Sequence, residues 1–282
     1  MKPRSLKERI IYLLLTLSAV IVVLPVLLVV YYLVSRGMPA ISWEFLTQPP
    51  REFMRAGGIM PAIVGTFYLV LGTLIFALPI GVLAAVYLTE YAKPGPLIRY
   101  IRLAIVNLAG VPSVVYGLFG LALFVIVMQF GASILAGSLT LAILILPVII
   151  TASEEALLTV PKDFRNASLA LGATRWQTTY RVVMPNAIPG IITGLILGIS
   201  RAAGETAPIL FTVAAFYMPR MPESVFDQVM ALPYHLYVMT QQVAGAPEEL
   251  AWGTALVLLM LVLGMNLIAA TIRARYRRAR KW

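Results

Sequence analysis

The sequence predicts an all-α protein that crosses a membrane about six times. Of its 282 residues, 60% are hydrophobic and only 12% are charged, whereas a soluble domain is roughly half apolar and a quarter charged. The apolar residues also fall in long stretches separated by basic or polar turns. A helix needs about 20 apolar residues to cross the hydrocarbon core, and several stretches meet that length. These observations favour a polytopic membrane protein.

Six stretches are long enough to be transmembrane helices. They cover residues 10–33, 63–88, 103–128, 134–157, 188–211 and 251–272. The basic residues before the first stretch resemble the start of a signal peptide, but the stretch is longer than a signal h-region and no small-residue cleavage site follows it. We therefore expect it to remain as an anchor. The whole of 1–282 is expected to form a single transmembrane domain.

The positions of Lys and Arg predict the orientation in the cell membrane. With the N-terminus inside, 17 of the 22 basic residues lie in the cytoplasm, as the positive-inside rule requires. These residues are Lys2, Arg4, Lys7, Arg9, Lys93, Arg99, Arg102, Lys162, Arg165, Arg175, Arg181, Arg273, Arg275, Arg277, Arg278, Arg280 and Lys281. Both termini are then cytoplasmic. Because topology accounts for the net charge of +10, we expect no nucleic-acid partner.

The cytoplasmic loop 158–185 predicts two short helices. Pro161 suits the first turn of the first helix, and Gly172 is placed to end it in the left-handed conformation. Thr174 and Gln177 have the spacing of a capping box at the start of the second helix. Helical spacing places four large residues on one side of that helix: Trp176, Tyr180, Val183 and Met184. From the residues alone, the loop either docks a partner or rests on lipid head groups.

This loop resembles the EAA motif of ABC importer permeases, in which Glu-Ala-Ala is followed after three residues by Gly and after nine more by Ile-x-Leu-Pro. The chain has Asn166-Ala167-Ser168 and Gly172 in that register, and then Val182-x-Met184-Pro185. Asn166 replaces the glutamate and offers no charge for a salt bridge. The resemblance implies a pair of coupling helices that seat on an ATP-binding subunit. The residues implied are Asn166, Ala167, Ser168, Gly172, Ala173, Thr174, Trp176 and Pro185.

Two charged residues, Arg201 and Glu205, lie inside the fifth apolar stretch. A charge at bilayer depth costs about 2.5 to 3.5 kcal/mol on insertion scales, so such residues usually face a bundle interior or a water-filled path. At i and i+4 they share a helix face and can neutralise each other. The pair therefore indicates either a binding site for an oxyanion or an ion pair that only fixes packing.

The segment RAAGETAPILFT at 201–212 resembles the A subunit of phosphate ABC transporter permeases. Further matching stretches are GGIMPAIVGTFYLV at 57–70, VPSVVYGLFGL at 111–121 and LPYHLYVMT at 232–240. The resemblance implies the type I ABC importer permease fold, with Arg201, Glu205 and Thr206 on the pathway of inorganic phosphate. It also implies three kinds of partner: a second, homologous permease, a cytoplasmic ATPase dimer and an extracytoplasmic phosphate-binding protein.

The remaining motifs argue against catalysis by the chain itself. It has no cysteine and one histidine, so no metal, cofactor or thiol chemistry is expected, and no GxxxxGK loop is present to bind ATP. His235 is expected to be an ordinary packed or solvated residue of the outward polar loop 217–250, and Glu154 and Glu155 are expected to pair with Arg165 or Lys162. Three alternatives stay open: an importer of sulfate or molybdate, an ion-coupled secondary transporter, and, least favoured, an intramembrane enzyme.

Overall fold

The structure is a computed structural model that describes residues 6–278; the predicted cytoplasmic residues Lys2, Arg4, Arg280 and Lys281 lie outside this range. Five long helices dominate it: α1 (Leu6–Gly37), α3 (Met60–Val86), α6 (Ile134–Leu158), α9 (Met184–Gly204) and α12 (Glu248–Arg278). The shorter helices are α2 (Trp43–Thr47), α4 (Pro96–Ala109), α5 (Ser113–Gly120), α7 (Lys162–Ala170), α8 (Arg175–Thr178), α10 (Ala207–Thr212) and α11 (Leu232–Gln241).

Three π-helical turns extend these helices: Tyr87–Tyr91 after α3, Leu121–Val127 after α5, and Thr179–Val183 between α8 and α9. A short antiparallel hairpin joins β1 (Pro50–Arg51) to β2 (Ala56–Gly57), with Pro50 opposite Gly57. Within residues 6–278, five continuous helical segments are long and apolar enough to cross a membrane, and a bent pair makes a sixth. The predicted all-α class with about six spans is confirmed.

The third predicted span is not the continuous helix expected over 103–128. Helix α4 ends at Ala109, and α5 starts at Ser113 at an angle of 101° to it. Pro112 lacks the N–H that would continue the helix and disfavours a helical conformation for the preceding residue. As a result α4, whose 14 residues include none that is buried, is turned away from the direction of α5.

The fifth predicted span, 188–211, is wrong at both ends. Its helical segment starts as far back as Arg175 and runs without a break to Gly204. There the chain leaves the helix: Glu205 has the extended backbone angles φ −74° and ψ 132°. Helix α10 begins two residues later, with Pro208 in its first turn, a position that proline favours because its missing N–H has no helical partner there. The break places an irregular backbone inside the apolar stretch.

The predicted polar loop 217–250 contains a helix that sequence reasoning missed. Helix α11 is buried along one side, where Leu232, His235 and Val238 are at most 2% exposed. Leu232 and Val238 join Phe45 and Ile59 in one apolar cluster. The apolar run in LPYHLYVMT was the available signal, although the stretch is too short to be a span.

Helices α3, α6 and α9 form the centre of the bundle. Gly81 of α3 lies against Ile149 of α6, and Gly190 and Gly194 of α9 lie against Ala156 and Ala152. Small residues let helix backbones approach closely in a membrane, where no hydrophobic force drives helices together. The three helices therefore pack as one unit, while α1 packs along α12 and has no buried residue over its apolar window.

Candidate functional site

The intramembrane ion pair lies at the break between α9 and α10. Arg201 is in the last turn of α9, and its Nε is 3.4 Å from Oε1 of Glu205, the first residue beyond the helix. The predicted pairing is therefore present, although Glu205 has left the helix. The side chains remain 32% and 17% exposed, so the pair borders open space. Thr206, the third predicted pathway residue, is half-buried beside them.

Helix α5 forms a wall of the same region. Its buried Tyr116 interacts electrostatically with Arg201 and donates a hydrogen bond of 2.7 Å to the carbonyl oxygen of Leu108. One residue further on, Gly117 allows α5 to pack against the start of α10. The break between α9 and α10, the Arg201–Glu205 pair and the bent third span therefore lie close together. The sequence does not show this, because α5 and α9 are far apart along the chain.

A line of polar contacts between α9 and α12, which sequence reasoning missed, lies next to this site. Asn266 Nδ2 donates to Ser200 Oγ at 2.7 Å, and Arg273 Nη1 donates to Thr193 Oγ1 at 3.2 Å. Asn266 Oδ1 is buried without a hydrogen-bond partner among the described residues. The sequence spacing was a usable signal: Thr193 and Ser200, like Asn266 and Arg273, are seven residues apart. Residues seven apart share a helix face.

Loop 158–185 has the two helices that the sequence predicts. Gly172, with φ +81°, ends α7 in the left-handed region that glycine adopts at little cost. The capping box at α8 is complete: Thr174 Oγ1 accepts from the Gln177 N–H at 3.2 Å, and Gln177 Oε1 accepts from the Thr174 N–H at 2.8 Å. Ser168 and Thr178 share a hydroxyl hydrogen bond of 2.9 Å, which ties the two helices together.

The predicted coupling residues do not all lie on one surface. Asn166, Ala167, Gly172, Thr174 and Trp176 are exposed, whereas Ser168, Ala173 and Pro185 are half-buried. Pro185 lies in the first turn of α9, because the second helix of the loop runs without a break into the fifth span.

The prediction that four large residues share one side of the second helix is also wrong. These residues are Trp176, Tyr180, Val183 and Met184. Trp176 and Tyr180 are exposed and stack with their ring centroids 6.0 Å apart, whereas Val183 is fully buried. The π-helical turn at Thr179–Val183 adds a residue to one turn and so rotates everything beyond it relative to the stack.

The ion pairs around loop 158–185 differ from those expected. Glu154 does not pair with Arg165 or Lys162; its Oε1 lies 3.3 Å from Arg102 Nη2. Arg165 instead pairs with Glu90, at 2.7 Å from Nη2 to Oε1. Glu90 sits in the π-helical turn after α3, and a turn of that kind is not visible in a hydrophobic pattern.

The comparison with protein families identifies the chain over most of its length. Residues 77–278 match the family described as binding-protein-dependent transport system inner membrane component. The chain is 37% identical over 277 residues to the phosphate transport system permease protein PstA of Mycobacterium leprae, covering 96% of this chain and 90% of that protein. It is 37% identical to the probable ABC transporter permease protein YqgI of Bacillus subtilis, covering 84% and 85%.

Solved structures share the fold. A bacterial alginate ABC transporter chain superposes with a TM-score of 0.66 at 16% identity, covering 95% of both chains. A chain of the inward-facing MetNI methionine ABC transporter gives 0.58 at 19% identity, covering 78% of this chain and 94% of that one. Subunits of this kind are transport components and not enzymes, as the sequence predicted. The chain is therefore a multi-pass membrane protein of the binding-protein-dependent transport system inner membrane component family, and it belongs to the PstA-type permeases of ABC importers.

Proposed function

We propose that the chain is the permease subunit through which an ATP-driven importer moves inorganic phosphate into the cytoplasm. The observation that carries this proposal is the partly exposed Arg201–Glu205 pair at the helix break. Relatives at 32% to 37% identity, named as phosphate transport system permeases, support phosphate as the substrate.

The pair has the chemistry that a passing oxyanion requires. A guanidinium is permanently charged and presents a planar fork that binds phosphate with two parallel hydrogen bonds. Glu205 neutralises Arg201 when the site is empty, which lowers the cost of keeping an arginine at bilayer depth. An arriving phosphate displaces Glu205 from the guanidinium of Arg201, and the Glu205 carboxylate then repels the bound phosphate. This repulsion keeps binding weak enough for release, and the Thr206 hydroxyl offers a further hydrogen bond.

The pathway forms between this chain and a second, homologous permease, since Arg201 borders open space in the single chain. The described spans act as one transmembrane domain. A phosphate-binding protein delivers the substrate outside, and a cytoplasmic ATPase dimer supplies the energy. The distribution of basic residues supports cytoplasmic termini and a cytoplasmic position for α7 and α8.

The exposed part of loop 158–185 is where the ATPase docks. Its surface carries Asn166, Ala167, Gly172, Thr174 and Trp176, while Ser168, Ala173 and Pro185 support it from the half-buried side. The stacked rings of Trp176 and Tyr180 present a large exposed apolar area on this loop, and aromatic residues are enriched at the centres of protein interfaces.

Uptake of labelled phosphate by cells that express the complete importer tests the function. We expect excess arsenate, the nearest analogue, to inhibit uptake, and excess sulfate or molybdate to leave it unchanged. A guanidinium alone does not select among tetrahedral oxyanions. Inhibition by sulfate or molybdate would therefore mean that the importer carries that anion by the same mechanism. The absence of ATP-dependent uptake would refute the proposal for phosphate.

Arg201→Gln tests the role of the pair. We expect the variant to assemble with its partner subunits but to lose phosphate uptake, because the anion loses its fixed counter-charge. Arg220→Gln is the matched control, since Arg220 is an exposed arginine outside the spans. Normal uptake by correctly assembled Arg201→Gln would show that the pair is only a packing contact.

A further inference from the structure

Arg165 is an arginine that turns inward from an exposed helix. Its neighbours Asp163, Asn166 and Ala167 in α7 are exposed, but the side chain of Arg165 is only 18% exposed and that of its partner Glu90 only 11%. Removing two charges from water costs several kcal/mol for each ion unless hydrogen bonds replace the lost hydration. The arrangement therefore depends on how completely the guanidinium is bound.

The guanidinium is bound on three sides. Nε lies 3.2 Å from both carboxylate oxygens of Glu90, and Nη2 donates to Glu90 Oε1 at 2.7 Å. Nη2 also donates to the carbonyl oxygen of Leu157 at 2.8 Å, and Nη1 donates to that of Val160 at 2.6 Å. Leu157 is in the last turn of α6, where helix carbonyls lack a partner within the helix and carry partial negative charge.

These contacts fasten α7 to two transmembrane helices. Glu90 belongs to the turn that continues α3, and the two carbonyl oxygens belong to the end of α6 and the chain just after it. Beneath them, Leu157, Val160 and Val183 are buried in one apolar cluster. The hydroxyl bond between Ser168 and Thr178 connects α7 to the segment that leads into α9. The loop thus meets all three central helices of the bundle.

We propose that Arg165 is the positioning residue that couples α7 to α3 and α6, so that a displacement of the loop moves the transmembrane helices instead of being lost in the loop. The inference rests on the proposed docking of the ATPase on loop 158–185. Arg165 touches neither substrate nor nucleotide; it acts through Glu90 and the end of α6. Helix α9, which packs on α3 and α6, carries Arg201 at its opposite end and is moved with them.

Only an arginine makes this connection. The planar fork reaches the carboxylate and two carbonyl oxygens at once, whereas a lysine ammonium is a compact point charge that cannot span them in the same geometry. Arg165→Lys therefore keeps the charge and weakens the mechanical link. Glu90→Gln keeps an acceptor oxygen but removes the charge, and Glu90→Asp restores the charge on a side chain shorter by one methylene.

The experiment compares these variants in the complete importer reconstituted in vesicles. We measure how much ATPase subunit remains bound, the rate of ATP hydrolysis, and the amount of phosphate transported per ATP. Coupling between two sites is typically a factor of about 5 to 150. We expect Glu90→Gln and Arg165→Lys to bind the ATPase normally and to transport about fivefold less phosphate per ATP or worse, with partial recovery in Glu90→Asp.

Glu154→Gln is the matched control. It breaks a second carboxylate–arginine pair, Glu154–Arg102, which joins α6 to α4 and does not involve α7. We expect the phosphate transported per ATP to stay within twofold of the unmodified protein. The control thus separates the loss of the Glu90–Arg165 pair from the loss of an ion pair in general.

A second readout does not depend on the substrate. The chain has no cysteine, and a side chain at Gly204 would meet no atom within 4 Å, so Gly204→Cys is a tolerated reporter beside Arg201. We expect ATP to change its labelling rate by a water-soluble thiol reagent, and Glu90→Gln to abolish that change. If the unmodified complex moves no phosphate, the proposed substrate is wrong, but this assay still tests the coupling.

The inference fails if Glu90→Gln and Arg165→Lys transport as much phosphate per ATP as the control and keep the ATP-dependent labelling. It fails equally if the only effect is loss of bound ATPase while the complexes that do form remain fully coupled, since Arg165 would then serve docking or folding alone. Should Glu90→Gln not assemble at all, Arg165→Lys, which retains the positive charge, decides between these outcomes.

Discussion

Substituting Gly117 by alanine tests how tightly α5 holds α10 beside the ion pair. A Cβ at this position would lie 2.8 Å from Phe211 Cδ2 and 3.0 Å from both the Ala207 oxygen and the Pro208 Cα. Carbon atoms in ordinary contact are about 3.5 to 4.0 Å apart. The two helices must therefore separate by about 0.5 to 1 Å.

The phenyl ring of Phe211 can rotate, but the other two contacts are backbone atoms, so α10 has to move as a whole. Overpacking of this kind costs about 1 to 3 kcal/mol. At roughly 2 to 4 °C per kcal/mol for a chain of this size, the melting temperature falls by about 2 to 12 °C. Because α10 begins next to Glu205 and Thr206, its displacement also moves the break, and we expect phosphate uptake to fall.

The assay combines tryptophan-fluorescence melting in detergent with uptake of labelled phosphate. Gly264→Ala is the control: it lies within α12, and its Cβ would meet no atom within 4 Å. We expect the control to melt at the same temperature or slightly higher, since alanine favours a helix more than glycine does. If Gly117→Ala melts and transports like Gly264→Ala, the close approach of α5 and α10 does not position the site.

Two further predictions concern loop 158–185 and helix α11. Gly172→Leu puts a branched side chain at φ +81°, which costs about 1 to 2 kcal/mol; we expect about tenfold less ATPase to copurify, with Gly172→Asn milder, and undiminished copurification would contradict this. Burial lowers the pKa of His235 from 6.5 to about 4, so below pH 6.5 the unfolded chain binds a proton that the folded chain does not. The contribution of His235 to stability should therefore be constant above pH 6.5 and fall by up to roughly 3 kcal/mol towards pH 4. Melting temperatures measured across this range should show a smaller decline in His235→Gln. Equal declines would show that His235 does not cause the loss of stability at low pH.

The sequence predicts features that depend on local pattern. Apolar stretches of about 20 residues gave the number of spans, because the bilayer dictates that length. The capping box at Thr174 and the turn at Gly172 were predicted because each depends on a few neighbouring residues. Arg201 and Glu205 were found because charges are rare inside spans.

Features that depend on tertiary packing were not predictable in the same way. The proline at 112 is compatible with a kinked span as well as with a bend of 101°, and its neighbours in space decide between them. The π-helical turn at Thr179–Val183 leaves no mark in composition, yet it places Val183 on a different side from Trp176 and Tyr180. The partner of Arg165 is 75 residues away, beyond any local pattern.

The bend at Pro112 leaves the third span too short for a full bilayer. Helix α5 has 8 residues and its π-helical continuation has 7, and at about 1.5 Å per residue they reach roughly 22 Å, against a hydrocarbon thickness of about 30 Å. If Val127 lies at the outer boundary, the bend is about 8 Å inside the apolar layer. Irregular backbone at that depth is tolerated only against protein or water. With Val127 at that position, lipid tails are excluded from this flank, and either a neighbouring chain or an aqueous cavity must border it.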